Sequence, residues 1–153
     1  MAKQSPTIHL FCCANSVTEA ELQELQTRFG VDGLKTLRLP CSGKTTIPYL
    51  LKAFEKSADG VVLCACPESQ CKHLEGNLRA SRRAEAVDGL LDEIGLGKGR
   101  VLVVAKEQGQ IEKLIDGIQR LQTELGKAHS AGVKPGRTVL AGARTGNRRE
   151  NAA

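Results

Sequence analysis

The chain has 153 residues, of which 41% are hydrophobic and 25% charged, a composition typical of a globular domain with a proper core. Only 3% are aromatic and none is tryptophan, so the stacking surfaces of a nucleic-acid-binding protein are not expected. No apolar run approaches the roughly 20 residues that a membrane span needs, and the first ten residues lack the apolar segment of a signal peptide. We therefore expect a cytoplasmic protein without a membrane span.

The net charge of +5 belongs to the C-terminal end of the chain. Residues 127–153 contain six basic residues and one acidic residue; the whole chain has 22 and 17, so 16 of each sign remain in residues 1–126. We divide the chain into a neutral α/β domain at residues 1–126 and a basic tail at residues 127–153. The tail has no sustained apolar period and is expected to be flexible. The neutral domain gives no support to nucleic-acid binding.

Four apolar segments alternate with four helical patterns along the domain. Strands are expected at residues 7–13, 34–39, 61–65 and 100–105, and helices at residues 19–28, 46–57, 77–94 and 108–125. This alternation predicts a four-stranded parallel α/β sheet, flavodoxin-like or Rossmann-like, with strand order 2-1-3-4 and helices on both faces.

Several residues mark where the helices begin and end, and which face they bury. Thr18 and Glu21 have the spacing of a capping box before the first helix, and Gly30 is expected to end that helix. Pro48 fits only the first turn of the second helix. The apolar stripe of the third helix is expected at Leu78, Ala86, Leu90, Leu91 and Ile94.

Six cysteines in a cytoplasmic chain indicate metal or redox chemistry before structural disulfides. Cys12 and Cys64 lie inside apolar strand patterns, and we interpret them as core residues. The other four are candidate metal ligands. Cys13, Cys41 and Cys66 lie at the carboxyl ends of the first three strands, and Cys71 lies in the loop after the third. Because these strands are neighbours in the predicted order, the four thiols converge at the sheet edge where open α/β sheets bind ligands.

Four converging thiolates can hold zinc, an iron–sulfur cluster or two disulfides. Zinc sites usually contain C-x2–4-C knuckles, and neither Cys64-x-Cys66 nor Cys66-x4-Cys71 is a standard one. Scattered ligands from three strand ends favour a cluster. We interpret His73 as a solvated loop residue rather than a ligand.

Two basic motifs near these cysteines have alternative interpretations. Residues 42–46, SGKTT, resemble the end of a P-loop, but Arg38 stands where the first glycine is required, so we expect a turn beside Cys41 and no nucleotide site. A cluster of arginines near the start of the third helix either compensates the charge of a metal cluster, docks an acidic partner or forms a solvated helix face: Arg79, Arg82 and Arg83.

The sequence resembles the delta subunit of methyl-viologen-reducing hydrogenase, the MvhD/FlpD family, over about residues 7–125. The resemblance rests on CSG at 41–43, LKAFEKSADGV at 51–61, and C-P-x3-C followed by H-x2-GN-x-RA-x-RR at 66–83. Members of that family are small electron carriers with one 2Fe–2S cluster. They pass electrons from a hydrogenase or formate dehydrogenase to the flavoprotein subunit of heterodisulfide reductase. The resemblance implies a non-catalytic electron-transfer subunit of an oxidoreductase complex, with this flavoprotein as its partner.

The chain departs from the family pattern after the first strand. The family's C-N-W-C corresponds to residues 13–16, CANS, so Ser16 replaces the second cysteine. Because the family has one more cysteine in this set than a four-thiolate cluster needs, the four candidate ligands can still hold a 2Fe–2S cluster, with Cys12 in reserve. The alternatives are a cluster-free structural adaptor of such a complex, or a thiol-redox or zinc protein that uses Cys66 and Cys71.

Overall fold

The structure is a computed structural model that describes residues 5–67, 70 and 75–130, with residues 129 and 130 described by their backbone alone. The candidate ligand Cys71, the loop residue His73 and residues 131–153 of the predicted tail lie outside the described residues.

Four strands form one parallel sheet in the order β2-β1-β3-β4, as the sequence predicts. Their bounds are Ile8–Cys13 for β1, Leu34–Leu39 for β2, Gly60–Ala65 for β3 and Val101–Ala105 for β4. In the register of the sheet, Cys13 lies opposite Leu39 and Cys12 lies opposite Cys64. The carboxyl ends of β2, β1 and β3 are therefore level with one another.

Helices cover both faces of the sheet, and the predicted α/β fold is confirmed. Their bounds are Glu19–Gly33 for α1, Ile47–Glu55 for α2, Gly76–Glu93 for α3 and Ile111–Ser130 for α4, with a short 3-10 helix at Ser42–Lys44. Side chains of α1 and α4 form one core layer with the sheet, and those of α2 and α3 form the other. Within the described ranges, no helix is long and apolar enough to cross a membrane.

The predicted helix signals at Thr18, Glu21 and Pro48 act as expected, whereas α1 ends at Gly33 and not at Gly30. The backbone N–H of Glu21 donates to the Thr18 hydroxyl, and the N–H of Thr18 donates to the Glu21 carboxylate, which completes the capping box. Gly30 has φ 74° and interrupts the helical backbone of α1. Pro48 lies in the first turn of α2, where it removes no helical hydrogen bond.

The central strand β3 is buried on both faces, as its continuous apolar sequence predicts. Val62 packs in the α1–α4 layer, and Leu63 packs in the α2–α3 layer. The first residue of the strand, Gly60, lies directly beneath side chains of α4. A Cβ atom there would lie 2.8 Å from the Cδ1 atom of Leu125.

The predicted apolar stripe of α3 is largely wrong. Leu78 and Leu90 are 41% and 37% exposed. Small residues take most of the buried positions, at the i, i+4, i+7 spacing of a helix face: Ala80, Ala84, Val87 and Leu91. Small side chains let α3 pack closely against its neighbours, so the largest apolar residues are not the best guide to its buried face.

Candidate metal centre

Two of the predicted ligands, Cys13 and Cys66, meet at the carboxyl edge of the sheet. Cys13 is the last residue of β1, and Cys66 directly follows the neighbouring strand β3. Both are buried, and their Sγ atoms lie 3.6 Å apart. This separation is well beyond the ~2.05 Å of a disulfide, so the two sulfurs are not bonded to each other.

The spacing of this pair suits a shared metal ion. Two thiolates, each about 2.3 Å from one tetrahedral metal, are separated by about 3.8 Å. Cys13 and Cys66 are within a few tenths of an ångström of that distance. The sulfur–sulfur distance of the pair is therefore compatible with two ligand positions on one metal.

Cys41 lies at the end of the neighbouring strand β2 and is also buried. The Cys13 thiol points to the carbonyl oxygen of Pro40 at 3.9 Å, and Cys41 is the next residue. The Cys41 sulfur accepts a hydrogen bond from the backbone N–H of Gly43 at 3.4 Å. Hydrogen bonds to a cysteine sulfur are one means by which a protein tunes a bound metal centre.

The loop that carries Cys41 is fixed against the start of α3. A Cβ atom on Gly43 would lie 2.8 Å from the Cα atom of Gly76, so only glycine allows this contact between two backbones. Arg83 donates to the carbonyl oxygens of Gly43 at 2.6 Å and Thr45 at 2.9 Å. The P-loop-like SGKTT segment is therefore a turn held by Arg83.

The three arginines of α3 do not act as one group. Arg79 forms an exposed ion pair with Glu75 at 3.8 Å and Arg82 is exposed, whereas Arg83 is half-buried against the Cys41 loop. None of the three sequence interpretations anticipated this clamp. The helical spacing gives no signal for it, because Arg79 lies one turn before Arg83 on the same side of the helix and is exposed.

Asn77 fixes the backbone that follows β3. Its side chain is buried, and its amide donates to the carbonyl oxygens of Cys66 at 3.2 Å and Pro67 at 3.0 Å. Its own oxygen accepts from the N–H of Leu78 at 2.9 Å. The first turn of α3 thus holds the Cys66 loop through one side chain.

Lys106 supports the site from the other side, and sequence reasoning missed it. It follows β4, its backbone N–H donates to the carbonyl oxygen of Ala65, and its side chain is fully buried. The ammonium group donates to the carbonyl oxygen of Ser16 and to the carboxylate of Glu21 at 3.1 Å. A lysine directly after an apolar strand sequence is the signal that could have marked it, since lysine is rarely buried without a partner.

The carboxylate of Glu21 remains ionised beside this lysine. Burial alone would raise the pKa of Glu21, but the N–H of Thr18, the Lys106 ammonium and the N–H of Gly109 together lower it below its ordinary value of 4.5. One carboxylate therefore caps α1, pairs with Lys106 and ties down the loop before α4.

Ser16, at the position of the missing cysteine, is buried and contacts a core cysteine. Its hydroxyl donates to the carbonyl oxygen of Cys13 at 3.2 Å and lies 3.6 Å from the sulfur of Cys64. Cys64 belongs to the α1–α4 core layer. The side chain at position 16 thus contacts the core layer at Cys64.

Cys12 and Cys64 are core residues, as their apolar sequence context predicts. Both are fully buried in the α1–α4 layer. Burial raises the pKa of Cys12 to about 12 and that of Cys64 to about 11, so both thiols are neutral near pH 7.

The described part of the chain supplies only part of the predicted ligand set. It brings Cys13 and Cys66 into contact and places Cys41 at the adjacent strand end. Outside the undescribed stretches, no three histidine, cysteine or carboxylate side chains are grouped closely enough to hold a metal ion. The fourth predicted ligand, Cys71, belongs to one of those stretches.

A depression of about 340 Å³ opens beside Cys66 on the surface. Its walls come from the loops after β1, β3 and β4, and include Asn15, Pro67, Lys106 and Glu107. The site is therefore buried but close to the surface at one side.

The fold is a parallel α/β domain, and its buried thiols Cys13 and Cys66 meet at adjacent strand ends. These features are typical of α/β proteins that hold a metal centre near the surface. The chain matches the family model for the methyl-viologen-reducing hydrogenase delta subunit over residues 8–128, and it belongs to that family. The resemblance predicted from the sequence is confirmed.

Individual relatives carry related names. The chain is 30% identical over 123 residues to the vhu iron-sulfur subunit of F420-non-reducing hydrogenase from Methanocaldococcus jannaschii, covering 80% of this chain and 92% of that protein. It is 24% identical over 121 residues to the corresponding protein of Methanopyrus kandleri, covering 79% and 92%. It is also 25% identical over 123 residues to one subunit of ferredoxin:CoB-CoM heterodisulfide reductase from Methanosarcina mazei, covering 80% of this chain and 16% of that protein.

Proposed function

We propose that this chain is an electron-transfer subunit whose 2Fe–2S cluster is held by Cys13, Cys41, Cys66 and Cys71. It carries electrons between a hydrogenase or dehydrogenase module, such as formate dehydrogenase, and a heterodisulfide-reductase-like flavoprotein. The observation that carries the proposal is the 3.6 Å separation of the Cys13 and Cys66 sulfurs at adjacent strand ends.

The chemistry of the donor set supports an iron–sulfur cluster. When bound, a 2Fe–2S cluster supplies one-electron oxidation and reduction. The chain's own residues bury Cys13, Cys41 and Cys66 away from water, and the Gly43 N–H donates toward the Cys41 sulfur. Burial and hydrogen bonds to sulfur are the means by which a protein sets the potential of such a cluster.

Three side chains restrict movement of the ligand loops. Arg83 holds the loop of Cys41, Asn77 holds the loop of Cys66, and Lys106 holds the turn after Cys13. These contacts come from α3 and from the end of β4, on opposite sides of the site. An electron carrier benefits from rigid ligand loops, because the loops then move little when the cluster gains or loses an electron.

The names of the relatives support the choice of partners. They are subunits of hydrogenases, and one relative is a heterodisulfide reductase protein of which this chain corresponds to 16%. The depression beside Cys66 is the face where a partner's cofactor would approach the cysteines most closely.

Two alternatives follow from other observations. The replacement of the family cysteine by Ser16 favours a cluster-free adaptor, and the spacing of Cys13 and Cys66 also suits zinc. A visible spectrum separates the iron–sulfur protein from the other two, because only the cluster is coloured. Metal analysis then separates the zinc protein from the metal-free adaptor.

The proposal is tested on affinity-tagged chain purified without oxygen from the native cells. The proteins bound to it are collected and then separated from it, because a flavoprotein is itself coloured and bleaches on reduction. We expect a brown sample that bleaches on reduction with dithionite and then gives the electron paramagnetic resonance signal of a reduced 2Fe–2S cluster. Mixing the reduced sample with the co-purified flavoprotein should reduce the flavin. A colourless chain that contains zinc would support the zinc protein. A metal-free chain that had co-purified with its partners would support the adaptor.

A further inference from the structure

A second surface of the domain lies on the α2–α3 side of the sheet, away from the cysteines. On this side the edge strand β2 presents residues to solvent beside α2, and a groove of about 400 Å³ runs between them. We call it the lysine groove and define it by Lys35, Leu37, Tyr49, Lys52 and Lys56.

The charge of the lysine groove has one sign. Lys35 comes from β2, and Lys52 and Lys56 come from the end of α2. Its described lining contains no aspartate or glutamate, and none of the three lysines forms an ion pair with another described residue. The nearby carboxylate of Asp59 accepts instead from the backbone N–H of Thr7 at 2.8 Å.

The groove also has an apolar strip between its lysines. Leu37 and Tyr49 both line the groove and are 42% and 38% exposed, so the groove offers apolar surface to a ligand. The Tyr49 ring packs on Phe11 with centroids 5.4 Å apart, so its position is fixed.

The floor of the groove contains a polar atom without a partner among the described residues. The Nε2 atom of His9 is buried and makes no hydrogen bond there. Burial lowers the pKa of His9, the ammonium groups of Lys35 and Lys56 lower it further, and Asp59 opposes them. His9 is therefore neutral near pH 7 and can donate or accept a hydrogen bond.

We propose that the lysine groove docks an acidic segment of a partner protein. Carboxylates of that segment pair with Lys35, Lys52 and Lys56, and an apolar side chain of the same segment lies between Leu37 and Tyr49. The charge of the groove excludes the chain's own tail as occupant, because residues 131–153 contain five basic residues and one acidic residue.

The position of the groove separates docking from electron transfer. Lys56 lies just before the amino end of β3, whereas Cys66 follows its carboxyl end. A partner held here leaves the depression beside Cys66 open. The inference therefore goes beyond the proposed carrier function and does not depend on the cluster.

The first test is zero-length cross-linking of the native complex with a carbodiimide, which joins lysine to carboxylate. We expect mass spectrometry to find Lys35, Lys52 and Lys56 joined to one acidic segment of a partner protein. The exposed Lys98 and Lys113, on other surfaces, serve as internal controls and should not join to that segment. Cross-links from the groove to a second copy of this chain, or none to any partner carboxylate, would overturn the proposal.

The second test reverses the charge of the groove. The variant Lys35→Glu/Lys52→Glu/Lys56→Glu should retain about tenfold less partner during purification than the unmodified chain. The matched variant Lys98→Glu/Lys113→Glu/Arg120→Glu should retain the normal amount. Circular dichroism confirms folding, and iron per chain should be equal in both variants, so a failure of docking is distinguished from a failure of the cluster. Equal retention of partner by the two variants would overturn the proposal, as would binding of inorganic phosphate in the groove without partner contact.

Discussion

The Sγ atoms of Cys13 and Cys66 lie 3.6 Å apart although 53 positions separate them in the sequence. The parallel pairing of β1 and β3 brings them together, and two further cysteines, Cys12 and Cys64, share the same strands but pack into the core. The chain thus contains matched thiols in two environments, which makes a controlled comparison possible.

We predict that Cys66→Ala and Cys13→Ala abolish iron binding, whereas Cys64→Ala retains it. The first two changes remove a thiol from the candidate centre, and the third removes a neutral core thiol at a cost of about 1 kcal/mol of unfolding free energy. Iron per chain and a denaturant titration measure the two effects. Normal iron content in the Cys66→Ala variant would contradict this ligand assignment.

Replacing either member of the buried ion pair of Lys106 and Glu21 should lower the unfolding free energy, but by different amounts. Glu21→Gln leaves a fully buried ammonium group without its counter-charge and should lower the unfolding free energy by about 3–5 kcal/mol. Lys106→Met should cost less, because Glu21 keeps the N–H groups of Thr18 and Gly109. Denaturant unfolding of the two variants checks the order, and a larger loss for Lys106→Met would show that this reasoning is wrong.

Glu21 also predicts a dependence of stability on pH. Its pKa is lower in the folded chain than its ordinary value of 4.5, so the unfolded chain binds the proton more readily. This contribution is fully present above about pH 4.5 and is lost as the pH falls through the folded pKa. Thermal unfolding across the acid range up to neutral pH should therefore show a shallower acid decline for Glu21→Gln than for the native chain, and parallel curves would refute the prediction.

Arg83 is expected to act as a positioning residue for Cys41. Arg83→Met removes the donors to Gly43 and Thr45 and should speed the loss of iron to a chelator several-fold, with a stability cost of about 1–3 kcal/mol. Arg79→Met is the matched control, because Arg79 forms only an exposed ion pair. Equal rates of iron loss in the two variants would assign Arg83 a purely structural role.

Restoring the family cysteine at position 16 should have little effect. A thiol in Ser16→Cys would lie near Cys64 in the core layer rather than near Cys66. We expect iron per chain and the visible spectrum to match those of the native chain. A changed spectrum would show that the loop after β1 presents position 16 to the metal.

Much of the fold could be predicted from the sequence because local patterns decide it. The alternation of strands and helices predicted the sheet order, and the spacing of Thr18 and Glu21 predicted the capping box. The placement of Cys13 and Cys66 at one edge followed from that order. Because all strands of a parallel sheet run in the same direction, residues at their carboxyl ends lie at the same edge of the sheet.

The contacts that hold the ligand loops could not be predicted because they join distant parts of the chain. Lys106 reaches Ser16 and Glu21, and Arg83 reaches Gly43, only after the sheet has formed. The buried face of α3 was predicted from its large apolar residues, Leu78 and Leu90, which are in fact exposed. The close packing of α3 against its neighbours favours small side chains such as alanine at the buried positions. The hydrophobicity of a residue indicates how much its burial stabilises the fold, but not how much space the neighbouring side chains leave for it.

The most direct test of the proposed carrier is the iron and acid-labile sulfide content of anaerobically purified chain. We predict about two irons and about two sulfides per chain, both lost in Cys66→Ala and both retained in Cys64→Ala. The absence of iron and sulfide from the native chain, even after anaerobic reconstitution, would contradict the electron-transfer function and favour a cluster-free adaptor.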